Sequence, residues 1–192
     1  MSLTDAQIDR YSRQIIVPRI GGRAQERLLA ARILLVGDAR DIEAPLAYLV
    51  GAGVGTICLK LSSNQAAFTE KRELNADVSV TIADESRGRI DLALMIIGSE
   101  ASRKVANEIS KNGDVHAIVI ARLDTPGKIA VFPDAHGTRT VDAEFGERAK
   151  AADFIAMLAT TEAFKLLAGY AETPSRAIIE FDGYETRVRI NP

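Results

Sequence analysis

The sequence predicts an α/β fold: a doubly wound, mostly parallel sheet with helices on both faces and a C-terminal antiparallel hairpin. Three observations predict it. Short runs such as Ile33-Leu34-Leu35-Val36 and Leu92 to Ile97 are apolar without alternation, as strands covered on both faces must be. These runs alternate with helical segments, the pattern of parallel strands joined by crossovers. Near the carboxyl end, two β-rich stretches flank Asp182-Gly183, a dipeptide that closes tight hairpins.

Each element follows in order. LTDAQIDRYSR and GGRAQERLLAAR read as two helices of an amino-terminal arm (residues 1–31), separated by Pro18 and by Gly21-Gly22. Ile33 to Gly37 is a buried strand. A helix from about Glu43 to Gly51 follows, with Asp41 placed to cap it and Gly53 and Gly55 as turn residues. Thr56 to Leu61 is a strand, Gln65 to Leu74 a short helix and Val78 to Ile82 another strand. Leu92 to Ile97 leads into the helix Ala101 to Lys111, stopped by Asn112-Gly113. His116 to Ala121 and Lys128 to Phe132 complete the strands of a core over residues 32–132, with His116 expected inside it. Residues 133–150 are a polar loop. In residues 151–192, the helix Ala152 to Leu167 is apolar nearly all round and ends at Gly169. The hairpin Ala177 to Phe181 and Thr186 to Ile190 closes the chain.

Composition excludes several classes. With 192 residues, 47% hydrophobic and 26% charged, the chain has the balance of one globular domain. A formal charge of -2 provides no electrostatic footprint for nucleic acid or an anionic membrane. No apolar run reaches the length of a membrane span, and the polar start is not a secretory signal. The lone Cys58, inside TICLKL, allows no internal disulfide and no Cys-x-x-Cys metal pair, and is expected in the core. A reducing cytoplasm is the expected location.

Three segments in order carry a family resemblance. Arg10-Tyr11-Ser12-Arg13-Gln14-Ile15 resembles an RYxRQ signature. Leu46-Ala47-Tyr48-Leu49 and Gly51-Ala52-Gly53-Val54-Gly55 resemble a helix of A-L-Y-L type ending A-G-V-G. Thr161 to Gly169 resembles an E-A-x-K-x-L-x-G helix. Together they resemble the ThiF/MoeB/HesA family, the adenylating relatives of ubiquitin-activating enzymes. The resemblance implies a Rossmann-like core, ATP with magnesium, and a ubiquitin-like sulfur-carrier protein as partner.

Position by position, the chemistry implied by that resemblance is altered. The family's glycine-rich phosphate turn reads Gly37-Asp38-Ala39-Arg40-Asp41-Ile42 here, so only the first glycine remains. Added β-carbons crowd a phosphate, and Asp38, Asp41 and Glu43 bring negative charge to a helix start that favours anions. Arg40 is the one residue there able to attract an anion. Leu61 stands where relatives carry the ribose-binding acid, and it can accept no hydrogen bond. The segment after it is short, with Asn64, Gln65, Lys71 and Arg72 as remnants or as solvated side chains. Gly98 occupies the position of the magnesium-binding aspartate, with Glu100 close by; magnesium needs carboxylate oxygen. The loop at 133–150 has Asp134, His136, Asp142 and Glu144 where relatives carry cysteines, and no metal ligands are assigned.

The leading expectation is therefore a non-catalytic homodimeric binding or regulatory protein with no cofactor, engaging a ubiquitin-like sulfur carrier. The alternative is a divergent adenylyltransferase in which Gly37, Arg40, Asn64 and Lys71 hold ATP. A second alternative is a Rossmann-type sensor of a metabolite or nucleotide. The resemblance makes Arg10 a candidate for reaching a partner subunit's site. The other reading packs Tyr11 and Ile15 onto the chain's own domain, with Arg10 and Arg13 solvated. The dimer is expected to use the arm and the hairpin face of Ile178, Phe181, Val188 and Ile190, since a lone hairpin is marginal.

Overall fold

Strands without polar alternation need cover on both sides, and here they lie side by side at the middle of one eight-stranded sheet of order β3-β2-β1-β4-β5-β6-β7-β8. The structure is a computed structural model that describes residues 2–18, 20–62, 75–82, 89–112, 115–132, 144–169, 177–181 and 185–190. The strands are β1 (Arg32–Gly37), β2 (Thr56–Leu61), β3 (Ser79–Ile82), β4 (Ile90–Ile97), β5 (Val115–Arg122), β6 (Gly127–Phe132), β7 (Ala177–Phe181) and β8 (Thr186–Ile190). The helices are α1 (Asp5–Ile15), α2 (Gly21–Ala30), α3 (Glu43–Ala52), α4 (Glu100–Asn112) and α5 (Ala152–Ala168). The doubly wound α/β expectation holds. From β3 to β5 the pairing is parallel.

Side chains alternate across β1. Ile33 and Leu35 join α2, α3 and α5 in one core layer; Leu34 and Val36 face the layer beneath α4, together with the fully buried Cys58. The first turn of α1 is a capping box, in which Thr4 and Gln7 exchange side-chain and backbone hydrogen bonds at 3.1 and 3.3 Å. Tyr11 carries the arm into the domain. Its ring lies over Gly53, the left-handed residue (φ 80°) that ends α3, where any β-carbon would meet the ring at 2.7 Å. Its hydroxyl donates to Asp77 at 3.1 Å and accepts from Asn75 Nδ2 at 2.9 Å.

Four expectations change. Antiparallel pairing begins at β6 rather than at the terminal hairpin, because β5 and β6 are joined by too short a link for a crossover. The hairpin is no lone pair, since β7 hydrogen-bonds along β6. It therefore has its third strand within the chain, and the reason for placing a dimer contact there falls away. Asp41 does not cap α3: the cap is Ile42, without a side-chain bond, and the Asp41 carboxylate is turned elsewhere. His116 is exposed, on the outward side near the start of β5, and is no core histidine. The short helix at 65–74 lies outside the described residues.

Candidate functional site

In open α/β sheets, ligands bind beyond the carboxyl ends of the strands where the strand order reverses. Here that point lies between β1 and β4, and the chain's own side chains occupy it. The turn after β1 folds back so that Ile42 is fully buried against Gly37, where an added β-carbon would meet Ile42 Cγ2 and the Ile96 carbonyl at 2.7 Å. The glycine that ends β1 is thus needed for an internal contact.

Asp38 ties the three strand ends together. Its carboxylate accepts from Ser62, just past β2, and from Ser102 Oγ of α4 at 3.0 Å. Ser102 is fully buried and also accepts from the backbone N–H groups of Gly98 and Ser99, at 3.1 and 3.0 Å. Within the first turn of α4, Ser102 N in turn donates to Ser99 Oγ at 3.2 Å.

Asp41 faces the other way. The segment 146–149 crosses the sheet's carboxyl edge, bonded to residues 123–125 through Thr125 N to the Glu147 carbonyl (2.9 Å) and Ala149 N to the Leu123 carbonyl (2.7 Å). It is anchored by Asp124, whose carboxylate accepts from Gly146 N at 3.0 Å and pairs with Arg122. This crossing places Arg148 over the turn, where its two terminal nitrogens donate to the Asp41 oxygens at 3.1 and 2.7 Å. Asp41 is 4% exposed in its side chain and Arg148 30%. The pair lies directly above Gly98, and any β-carbon at that position would collide with Asp41 Oδ2.

Two carboxyls, one at this crossing and one in the arm contact, lie below their ordinary range. Burial pushes the Asp124 carboxyl up, but hydrogen bonds from Arg122 and from Gly146 N outweigh it and hold the group below the ordinary carboxylate range. Burial likewise opposes, and bonds from Gln7, Arg10 and Tyr11 together overcome it, at Asp77 in the arm contact.

The sequence-predicted residues are only partly brought together. Gly37 and Arg40 lie on the same turn; Arg40 is exposed and edges a cavity of about 490 Å³ with Glu43, Pro45, Asp153 and Ala156. Leu61 pairs with Gly37 at the ends of β2 and β1. Glu100 is turned to Arg103, at 2.7 Å from its Nε. Arg10 is exposed, as one reading expected, and is ion-paired with Asp77 of its own chain. Asn64, Gln65, Lys71, Arg72, Asp134, His136 and Asp142 lie outside the described residues. Arg148, Arg122 and Asp124 were not anticipated. The only sequence signal was Gly98 itself, a glycine at a strand end that can mark a close approach. Among the described residues, no three His, Cys, Asp or Glu side chains cluster as metal ligands would. No described helix is long and apolar enough to cross a membrane. The described residues at the crevice do not fit a triphosphate with magnesium: a buried isoleucine, two carboxylates and an internal ion pair stand where it would lie.

No family model matches the chain. Over 58 residues, 30% of its length, it is 50% identical to the adenylyltransferase and sulfurtransferase uba4 of Pyricularia oryzae. Over an equal stretch it is 47% identical to a sulfur carrier protein adenylyltransferase of Thermus thermophilus. These matches cover only 12% and 21% of the relatives' lengths. In structure it is similar to E. coli MccB crystallised with succinimide, with a TM-score of 0.67 at 17% identity over 95% of this chain and 71% of that one. It is also similar to PaaA, with a TM-score of 0.61 at 17% identity over 98% of this chain and 75% of the other. The structural likenesses establish the fold.

Proposed function

On the premise that this chain is a ThiF/MoeB-type protein, we propose that it is a homodimeric binding or regulatory protein that engages a ubiquitin-like sulfur carrier without ATP-dependent adenylation. The observation that carries this reading is the Asp41–Arg148 pair over Gly98, with Ile42 folded onto Gly37. A nucleotide would have to displace both, breaking a bidentate charge pair with one nearly buried member. The carrier enters from the names of the relatives, which act on such proteins or on sulfur transfer. We place the protein in a reducing cytoplasm, on the strength of its lone buried cysteine, and read residues 1–192 as one domain.

A second reading has the better support from the comparisons: a divergent adenylyltransferase, as the named relatives are. In that reading Gly37, Arg40, Asn64 and Lys71 would hold ATP with magnesium. Two measurements separate the readings. A ligand at a hundred times its dissociation constant stabilises a protein by about 2.7 kcal/mol. Millimolar Mg-ATP should leave the melting temperature unchanged, and calorimetric titration with a ubiquitin-like sulfur carrier should show binding. Pyrophosphate exchange that depends on the carrier would reject the first reading in favour of the second.

A further inference from the structure

The segment that crosses the sheet's carboxyl edge is fastened mostly by polar contacts. None of residues 144–151 is buried, although Asp124 beneath and Ala152 at its end both are. Phe145 and Ala149 pack only partly against the two core layers. Backbone bonds run from Thr125 N to the Glu147 carbonyl and from Ala149 N to the Leu123 carbonyl. Gly146 N donates to Asp124, Arg122 donates to the Glu144 carbonyl at 2.7 Å, and Arg148 holds Asp41. The groups underneath are of another kind. Leu123 is fully buried and Asp41 nearly so. Gly98 lies just past β4 and directly under Arg148, whose Nη1 is 3.2 Å from where a β-carbon on that glycine would stand. The segment thus roofs the place where the strand order turns between β1 and β4, the place where ligands of open α/β sheets bind.

Regions with few buried side chains and polar fastenings open at a cost well below that of global unfolding. Lifting this segment returns both Asp41 and Arg148 to water, whereas deleting either residue strands the other. We propose that residues 144–151 form an autoinhibitory strap. It lifts as a unit while the strands beneath stay paired, with Arg148 on Asp41 as its clasp, and it must lift before a partner reaches the switch point. The lifted state leaves the Leu123 carbonyl and the Thr125 N–H open on one edge, spaced to pair with an incoming extended backbone. The partner is therefore an extended polypeptide segment, and the inhibition rests on the reading above that the chain engages a carrier protein. Such a partner binds only the lifted fraction, and its apparent affinity is reduced by that fraction.

Native-state hydrogen exchange reads the lifting directly, because the Thr125 and Ala149 amides donate the two backbone bonds. Both should exchange about a hundredfold faster than the Leu94 and Val119 amides at the sheet centre, and dilute urea should change them little, since lifting exposes little surface. Two variants separate lifting from unfolding. Ile57→Val, on β2 and away from the strap, should speed the Leu94 and Val119 amides and leave Thr125 and Ala149 unchanged. Arg148→Met should speed all four by the same factor, because the clasp is absent from the lifted and the unfolded chain alike. If Thr125 and Ala149 follow Ile57→Val, the strap opens only with the whole fold and the proposal is overturned. Indifference of these two amides to Arg148→Met overturns it as well. Calorimetric titration with a ubiquitin-like sulfur carrier then tests the inhibition: Arg148→Met should bind about tenfold tighter than the parent. Equal affinities overturn the inhibitory role. Absence of binding to either protein overturns the carrier reading instead, and the strap stands or falls by the exchange.

Discussion

Arg148 supplies both of its terminal nitrogens to the Asp41 carboxylate, whose side chain is 4% exposed. Removing one partner of such a pair costs more than the pair contributes, because the survivor stays buried and unmatched. Arg148→Met should therefore destabilise the protein by about 2–4 kcal/mol, discounted to the lower half because Arg148 is partly solvated. Adding Asp41→Asn should recover part of the loss. Urea unfolding of the three proteins measures this, and equal loss in the single and double variants would contradict it. Nothing local in the sequence linked residues 41 and 148; the fold brings together two positions 107 apart in the chain. By contrast, the meeting of Leu61 with Gly37 at two strand ends was legible, since each closes a strand that the sequence marks.

At the scale of elements, the arm is seated by an aromatic contact and by Asp77, which Gln7, Arg10 and Tyr11 all meet. Tyr11 carries the contact with α3, where Gly53 makes room for the ring while ending that helix in a left-handed conformation. Gly53→Ala should cost about 2 kcal/mol or more, combining an unfavourable φ with collision against the ring. Limited proteolysis should then cut within residues 2–18 before any other described segment; uniform resistance would argue that the arm is held by something else. Helices and strands were legible to within a residue or two because periodicity and stop signals are local. The capping of α3 was not. Asp41 satisfies the N-cap rule by composition, yet a cation from residue 148 competes successfully for its carboxylate.

Across the whole molecule, acid should loosen two distant fastenings at once. Asp77 holds the arm and Asp124 holds the crossing segment, and both carboxyls lie below their ordinary range. A depressed carboxyl contributes stability that is present above its unfolded-state pKa and disappears as the pH falls through its folded-state value. Melting temperatures should therefore be level near neutrality and fall below about pH 4, near the ordinary carboxylate pKa. Asp124→Asn should be less stable than the parent at neutral pH and show a shallower acid decline; parallel curves would reject the assignment. The parallel centre of the sheet was legible from unbroken apolar runs. The antiparallel placement of β6 was not, because strand composition carries no direction.

The glycine beneath the ion pair also constrains how this lineage can change. Placing an acidic side chain at position 98 by itself would drive one carboxyl group into another and expel Arg148 from its seat. Position 41 must lose its carboxylate first, and that step leaves an arginine without its counter-charge. A stepwise route to an acid at position 98 therefore passes through a less stable intermediate, and the order of steps matters as much as their identity. A library varying 41, 98 and 148 together should yield folded combinations that no sequential walk through single replacements reaches.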